Sequence, residues 1–377
     1  MPDSMLHPLT LSIVIPAPAD TAALEETLVS VLENRPAGCE VIVALGCPYD
    51  DPWNIAEEVR FVQAPGAGLV GCTNLGIAAS SGDVVHVLAA GWRATPGWTD
   101  AALERFVDGG VGAVIAVSAG DSGATESLGV RYKRGGRRVA LARPGRGTDP
   151  AAGADRRVGA RRPLGPVVGP RLEAGFWRAD VVRDGGSAFT TACGERLADA
   201  DMALGLAARG LVAVVEEGVQ VVAGAEPAAE RGFRAGLHGE RLFWRSLAGR
   251  SLLPALVLHL VEVVRHSVAQ APLATVPMLL GRLLGVLQAG SYRARHRELR
   301  GWMAEGESAA ITAGATTVTE ATGAERTTDT DIGTGPETGT DAETAGTIRI
   351  DAGHDVLEGP RRRGGVSTAT EPLRKSA

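Results

Sequence analysis

Continuous apolar runs alternate with amphipathic segments over the first 120 residues of the chain. The apolar runs at 11–16, 40–45, 83–88 and 111–117 predict buried parallel strands, because helices cover both faces of such strands. The segment 21–32 repeats its leucines and valines at helical spacing. This alternation predicts an α/β fold with a mostly parallel sheet, in which ligands bind beyond the carboxyl ends of the strands.

The same patterns extend the prediction along the chain. Further predicted strands lie at 60–62, 172–178 and 212–216. Further predicted helices lie at 51–59, 69–79, 98–106, 195–209, 235–247, 252–266 and 276–288. The segment 131–171 is rich in Arg, Gly and Pro and has few acids. It is interpreted as a solvated loop or irregular β-excursion, with an anion-binding flap as the alternative.

The last third of the chain divides into two parts. Residues 226–302 contain amphipathic and apolar helices, but four polar residues interrupt the apolar surface of 252–288, namely His259, Glu262, Arg265 and His266. Packing on the domain or lying at a membrane surface therefore fits better than spanning. Residues 303–377 combine acidic excess with Thr, Ala and Gly, and they are predicted to form a disordered tail.

Charge and cysteine content exclude several classes of protein. The net charge of −6 over 377 residues argues against nucleic acid as a partner. The four cysteines show neither metal-ligand spacing nor a paired pattern, which indicates free thiols in a reducing compartment.

The first ten residues, MPDSMLHPLT, lack a basic stretch followed by a long apolar run, so no signal peptide is expected. A cytoplasmic protein is predicted, either free or peripheral at the inner face of the cell membrane.

Residues 66–71, GAGLVG, match the G-x-G-x-x-G spacing of a dinucleotide fingerprint. The match is weak in a chain with 50 glycines. A dinucleotide site also needs an acidic residue at the end of the next strand, and Ala89-Ala90-Gly91 stand there instead. Neither NAD nor FAD is therefore expected, and no cofactor is predicted.

Several stretches resemble the inverting family 2 glycosyltransferases. LSIVIP at 11–16 is similar to that family's first strand, and 66–98 is similar to the stretch that runs through its metal-binding strand to the turn ATPGW. LEAGFWRADVV at 172–182 resembles its acceptor-side strand, and LADADMALGLAARG at 197–210 resembles the helix that carries its catalytic base. The resemblance implies a Rossmann-like GT-A fold, the nucleotide-diphospho-sugar transferase fold, over residues 10–225. GAGLVG then becomes the loop before the helix under the nucleotide site.

The resemblance also implies catalytic residues. An inverting transfer needs a carboxylate that takes a proton from the acceptor hydroxyl. Asp199 falls at the position of the family's base, with Asp201 as the alternative. Side chains two positions apart on a helix point about 200° apart. Only one of the two aspartates is therefore expected to face the cleft, and the other is expected to face solvent or cap a neighbour. The alternative interpretation is that both simply favour the positive end of the helix.

The binding residues implied by the resemblance depart from the family's pattern. Leu45-Gly46 and Ala89-Ala90-Gly91 replace the carboxylates that usually hold a divalent cation, so no metal site is predicted. Arg93 and Arg178 are expected to offset the charge of the leaving diphosphate instead. The expected nucleotide-sugar-binding residues are Pro16, Ala17, Gly46, Asp50, Asn74, Ala89, Gly91, Arg93 and Arg178.

Two functions follow. The first is a glycosyltransferase that moves a sugar from a UDP-, GDP- or dTDP-sugar to a glycan or lipid-linked acceptor in cell-surface polysaccharide synthesis, without a metal. The second is an inactive pseudo-glycosyltransferase that serves as an assembly or regulatory partner. The loss of the metal carboxylates favours the second function, and the retained Asp199 favours the first.

Overall fold

The protein is described from a computed structural model. The structure describes residues 8–120, 125–141, 157–158, 167–184, 188–225 and 228–306. The predicted tail lies outside the described residues except for 303–306, which continue a helix.

Strands alternate with helices in the first half of the chain, as predicted. The strands are β1 (Leu11–Ala17), β2 (Glu40–Leu45), β3 (Arg60–Gln63), β4 (Val84–Leu88), β5 (Arg93–Ala94), β6 (Val111–Ala119), β7 (Thr125–Ser127), β8 (Val130–Lys133), β9 (Arg137–Ala140), β10 (Arg157–Val158), β11 (Val167–Gly169), β12 (Ala174–Arg178) and β13 (Val212–Val222). The helices are α1 (Thr21–Asn34), α2 (Leu69–Ala79), α3 (Asp100–Arg105), α4 (Ala179–Arg183), α5 (Ala198–Ala208), α6 (Gly232–Arg245), α7 (Leu252–Gln270), α8 (Thr275–Leu287) and α9 (293–306).

Ten of the described strands form one sheet, whose main order is β10-β13-β6-β12-β4-β1-β2-β3. The pairs β4–β1, β1–β2, β2–β3 and β13–β6 are parallel. Only β12 enters the centre of the sheet in the opposite direction, between β4 and β6. The sheet is therefore mostly parallel, and the expected α/β fold class is confirmed.

The central strands are apolar at successive positions, without the alternation of apolar and polar residues that a half-exposed strand shows. Every residue of β1 and β4 is buried, because helices cover both faces of the sheet. The one polar ring in β4, His86, is fully buried and stacks on Phe176 of β12 with ring centroids 3.7 Å apart. Burial lowers the pKa of His86 to about 3, so the ring is neutral in the core.

The segment 51–59 is not a helix. Asp51 and Asn54 adopt positive φ angles of 44° and 52°, which a right-handed helix does not allow. Pro52 also disfavours helical geometry at the residue before it. The Asp51 carboxylate instead accepts a hydrogen bond from the Ile55 amide at 3.1 Å and closes a turn. The helical prediction for this segment is wrong because these local backbone constraints override the periodicity.

The Arg-rich segment 131–171 contributes a second, smaller sheet of order β11-β8-β9. All of its pairings are antiparallel. The described part of the segment is thus the β-excursion of the sequence interpretation, and it lies against α5.

The C-terminal helices pack beside this smaller sheet. Helix α6 packs along α8, and α7 contacts α8. Trp302 of α9 lies under the guanidinium of Arg209, 3.9 Å from the ring centroid, and so joins α9 to the end of α5.

Candidate functional site

Backbone hydrogen bonds join the loops that follow β1, β2 and β4. The Gly46 amide donates to the Ala17 carbonyl at 2.9 Å, and the Gly66 amide donates to the Gly46 carbonyl at 2.9 Å. The Ala90 amide donates to the Pro16 carbonyl at 3.1 Å. The structure therefore brings the predicted residues Pro16, Ala17 and Gly46 to one place, which we call the carboxyl edge.

Gly46 is required at this edge by close backbone approach. A Cβ atom there would lie 2.6 Å from both the Pro18 and Ala67 carbonyl oxygens. Asp50, four residues later, is exposed on the same loop. This part of the edge is therefore built from backbone, and Asp50 lies exposed at its periphery.

The residues after β4 form a turn that is held by α1. The Gly91 amide donates to the Ala23 carbonyl at 2.9 Å and to the Thr27 hydroxyl at 2.8 Å, and Gly91 has a φ of +88°. Gly224, after β13, packs so closely on Gly91 that a Cβ at Gly224 would overlap the Gly91 carbonyl oxygen. Backbone thus fills the place where a carboxylate from either segment would project.

Metal-ligating side chains do not converge in the described part of the chain. No group of three or more His, Cys, Asp or Glu residues that could hold a metal ion occurs there. At the carboxyl edge, Ala89 and Gly91 offer no side-chain oxygen, and hard cations prefer several oxygen ligands with carboxylates among them.

Glu173 is a site residue that the sequence interpretation missed. Its carbonyl accepts the Ala89 amide at 2.8 Å, and its side chain is only 5% exposed. Burial raises the pKa of Glu173, the nearby Asp199 carboxylate raises it further, and Arg171 acts in the opposite direction. Glu173 stands directly before β12, and it reaches the end of β4 only because β12 runs antiparallel to β4.

Asp199 lies next to Glu173, in an ion pair with Arg138 of β9. The two carboxylate oxygens of Asp199 accept from the Arg138 Nε at 2.9 and 3.1 Å and from its Nη2 at 2.6 Å. The side chains of Asp199 and Arg138 are 2% and 8% exposed. Together with Arg171, which pairs with Glu173 and lies 5.2 Å above the Trp92 ring, these residues form what we call the Glu173 cluster.

Asp201 does not reach this cluster. Its carboxylate accepts from Arg245 of α6 at 2.7 and 2.9 Å and lies 3.1 Å from Arg295 of α9. The second aspartate was expected to face solvent or to cap a neighbour; it is 3% exposed, so the solvent alternative is wrong. The interface of α5 with the C-terminal helices buries that face of α5 as well. Asp201 therefore joins α5 to these helices.

The expected role of Arg178 at the cleft is wrong. Because β12 is antiparallel to β4, its last residue pairs with Val84 at the amino end of β4. There the guanidinium donates to the carbonyls of Val111, Phe106 and Asp108 at 2.8–3.0 Å. Arg178 therefore closes the opposite edge of the sheet.

Arg93 remains close to the carboxyl edge. It lies two residues after Gly91, in β5, and pairs with Val222 of β13. Asn74 has a different contact: its side-chain amide donates to the Phe189 carbonyl at 2.8 Å and its oxygen accepts the Phe189 amide at 2.9 Å. Asn74 thus fixes the loop that precedes α5.

The GAGLVG loop opens α2, and a side chain already accepts one of its amides. The Glu195 carboxylate accepts the Val70 amide at 2.6 Å, and a Cβ at Gly68 would overlap the same carboxylate. An anion at this helix N-terminus is favourable, and here the protein supplies it. Gly68 leaves room for the Glu195 side chain. A glycine at this position therefore has a structural reason that does not involve a dinucleotide.

One comparison with known proteins gives a family match for the first part of the chain. Residues 12–153 match the model of glycosyl transferase family 2. The match confirms the family 2, GT-A-like resemblance. It ends before Glu173 and Asp199. No curated protein sequence matches the chain.

Two solved structures illustrate the structural similarity. The mannosyltransferase PcManGT from Pyrobaculum calidifontis, in complex with GDP-Man and Mn²⁺, is 14% identical, with 80% of this chain and 88% of that chain covered and a TM-score of 0.43. TarS 1-349 from S. aureus, in complex with UDP-GlcNAc, is 12% identical, with 80% and 92% covered and a TM-score of 0.48.

Proposed function

We propose that this family 2-like protein transfers a sugar from a nucleoside-diphosphate sugar to a hydroxyl of a glycan or lipid-linked acceptor, with inversion. The observation that carries the proposal is the placement of two buried carboxylates, Glu173 and Asp199, beside the carboxyl edge of a family 2-like domain. In such a transfer the acceptor oxygen bonds to the anomeric carbon, the bond from that carbon to the diphosphate breaks, and a carboxylate takes the hydroxyl proton.

Asp199 is the proposed base. A carboxylate has about four lone-pair positions, so the pairing with Arg138 leaves room for an acceptor hydroxyl. Since Asp199 is 1% exposed, the acceptor reaches it only when a neighbouring group such as Arg138 moves.

The proposed reaction does not use a divalent metal. A departing diphosphate needs positive charge, and in this proposal an arginine near the carboxyl edge supplies it in place of a metal cage. Arg93 is the proposed donor, because arginine pairs with phosphate oxygens through two parallel hydrogen bonds. Binding of the nucleotide sugar is then expected to survive EDTA and to weaken with salt.

The donor and the metal are tested on the full chain. UDP-, GDP- and dTDP-sugars are screened by thermal shift with and without Mn²⁺, and the best donor is titrated in EDTA. We expect one donor class to raise the melting temperature equally with and without Mn²⁺. A strict Mn²⁺ requirement would show that the metal proposal is wrong, and failure of every donor would favour the inactive assembly partner.

Arg93 and Arg178 form a matched pair for the same titration. Arg93→Gln is expected to weaken donor binding about tenfold, the scale of one charged hydrogen bond. Arg178→Gln removes the same charge at the opposite edge of the sheet and is expected to leave the dissociation constant unchanged. Equal losses in both variants would remove Arg93 from the site.

We further propose that the protein is cytoplasmic and that α7 and α8 rest on the inner face of the cell membrane. Of the 21 large apolar side chains that are exposed in the described residues, 16 lie between 252 and 287. Residues 228–306 also carry 11 Arg and 5 Glu, although the whole chain has a net charge of −6. An apolar face within a basic segment suits an anionic lipid surface.

Helix α7 is also long and apolar enough to cross a bilayer. It has 19 residues, a mean hydropathy of 1.5, and 11% of its residues buried. However, His259 hydrogen-bonds to Gly135 and Glu240, which belong to the β8–β9 turn and to α6. These contacts support a surface position over a spanning one.

A further inference from the structure

A cavity of about 450 Å³ lies beside the proposed base, outside the carboxyl edge. Its walls come from β9, the residues before α5, and the helices α6, α7 and α8. Five arginines line it: Arg137, Arg138, Arg196, Arg265 and Arg282. We call it the arginine cavity.

The arginine cavity carries an excess of positive charge. Among the lining residues that the structure describes, only Glu230 and Glu262 oppose the five arginines. Two more acids, which do not line the cavity, form ion pairs with its arginines: Asp199 with Arg138, and Glu240 with Arg282. Arg137 makes no ion pair with any described residue.

The pKa of a histidine in the cavity wall, His266, is lowered by burial and also by the positive charge of the cavity. Burial lowers the pKa of His266 to about 4, and Arg282 and Arg265 lower it further than the opposing Glu262 raises it. His266 is therefore neutral at physiological pH, and its Nδ1 lies 3.0 Å from Arg282 as an acceptor. The neutral ring adds a donor or acceptor to the cavity without adding charge.

We propose that the arginine cavity binds a phosphate-class oxyanion, either a lipid phosphomonoester headgroup or a soluble phosphate. Several guanidinium groups around one space match the three charged oxygens of a phosphate monoester better than a single carboxylate. The volume exceeds that of one phosphate group, so the remainder of a larger molecule has room. Helix α7 presents the cavity on one side and exposed apolar residues such as Val261 and Val264 on the other.

The position of this site suggests what the anion does, and this step rests on the proposed function. Arg138 lines the arginine cavity and also holds the proposed base Asp199. A bound phosphate competes with Asp199 for the same guanidinium. The anion therefore belongs to the acceptor, and its arrival frees a lone pair of Asp199 for the acceptor hydroxyl.

The test is titration of the full chain with inorganic phosphate by calorimetry, with variants of opposite expected sign. Arg137→Gln is expected to weaken binding about tenfold. Glu262→Gln removes an opposing charge from the cavity and is expected to tighten binding. The matched control is Arg297→Gln, an exposed arginine of α9 outside the cavity, which should leave binding unchanged. Absence of saturable binding, equal losses in both arginine variants, or no tightening in Glu262→Gln would overturn the proposal.

Vesicles then distinguish the two sources of the anion. Phosphatidylcholine vesicles containing phosphatidic acid are compared with vesicles containing phosphatidylglycerol, which has no phosphomonoester. Preference for phosphatidic acid that is lost in Arg137→Gln identifies a lipid headgroup. Equal binding to both vesicles, together with saturable phosphate binding, identifies a soluble phosphate.

The two proposals fail independently, because the phosphate titration contains no nucleotide sugar. A chain that binds phosphate through Arg137 but binds no nucleotide sugar keeps this inference and loses the proposed function. A chain that binds a nucleotide sugar but shows none of the phosphate effects keeps the proposed function and loses this inference.

Discussion

The buried carboxylates of α5 and α6 act mainly as members of ion pairs with arginine. Asp199, Asp201 and Glu240 each accept from arginine, and each is at most 3% exposed. Breaking such a pair leaves an uncompensated buried charge, which costs about 3–5 kcal/mol. Substitutions at these positions therefore change stability as well as chemistry, and the two effects must be measured separately.

Asp199→Asn is expected to lower turnover by a factor of about 100 or more, because the base is lost. It is also expected to destabilise the fold, because Arg138 stays buried without its partner. The double variant Arg138→Gln/Asp199→Asn should recover much of the stability and none of the turnover, as measured by urea unfolding and steady-state rates. Asp201→Asn is the control: it should lose stability but keep its turnover per folded molecule. A fully active Asp199→Asn would remove the assignment.

Glu173 gives a prediction on pH dependence. Its pKa is raised in the folded state, so protonated Glu173 stabilises the fold fully below the unfolded-state pKa. That stabilisation is lost as the pH rises through the folded-state pKa. Glu173→Gln, which stays neutral, is therefore expected to melt higher than the native chain at neutral pH, with the difference shrinking in acid.

The control for this measurement is Glu58→Gln, whose side chain is 58% exposed in its pair with Arg35. It should show little pH-dependent difference. If Glu173→Gln instead melts lower at neutral pH, the pairing of Glu173 with Arg171 outweighs the cost of burying its charge.

At the scale of elements, most strands and helices follow from local pattern, and the exceptions have physical causes. The strands β1, β2 and β4 and the helix α2 lie where continuous apolar runs or helical spacing placed them. The turn at 51–59 was missed because two residues there adopt positive φ. Strand direction was also not predictable, since the apolar pattern of β12 is the same whichever way the strand runs. That is why the prediction placed Arg178 at the wrong edge and missed Glu173.

The ion pair between the proposed base and an arginine could likewise not be predicted from the sequence. Arg138 and Asp199 are 61 residues apart, and only the tertiary fold brings them together. The glycines were ambiguous for a similar reason: Gly68 and Gly224 each accommodate a distant segment, Glu195 in one case and Gly91 in the other.

Helix α7 depends on Glu240 for its attachment. The Glu240 carboxylate bonds to His259 of α7 at 2.9 Å and to Arg282 of α8 at 2.8 Å. Burial alone would raise the pKa of Glu240, but His259 and Arg282 lower it overall. Glu240→Gln is expected to cost about 3–5 kcal/mol and to increase amide hydrogen exchange in α7 first. Glu298→Gln, whose side chain is 39% exposed in its pair with Arg295 on α9, should leave this exchange unchanged. Equal exchange in both variants would contradict the role of Glu240.

At the scale of the whole molecule, the exposed apolar face predicts binding to anionic vesicles. Leu273 and Leu287 are 89% and 73% exposed, so replacing both with Glu removes apolar contact without disturbing the core. The double variant is expected to lose co-sedimentation with phosphatidylglycerol vesicles at an unchanged melting temperature. Trp53→Glu, 66% exposed on the loop after β2, is the control and should still bind. Loss of a dimer in the double variant, with no vesicle binding by the native chain, would assign the face to a second copy.

The reversed strand β12 has a consequence for how the protein is made. As the chain leaves the ribosome, β1 to β4 can pair among themselves, but β4 and β6 find their common neighbour only after residue 178 has emerged. Until then each presents an unpaired apolar edge, the kind of surface on which nascent chains associate. The fragment 12–153 that matches the family model stops short of this strand. Expressed alone, it would keep both edges open, so the unit that the family model outlines is smaller than the unit that folds.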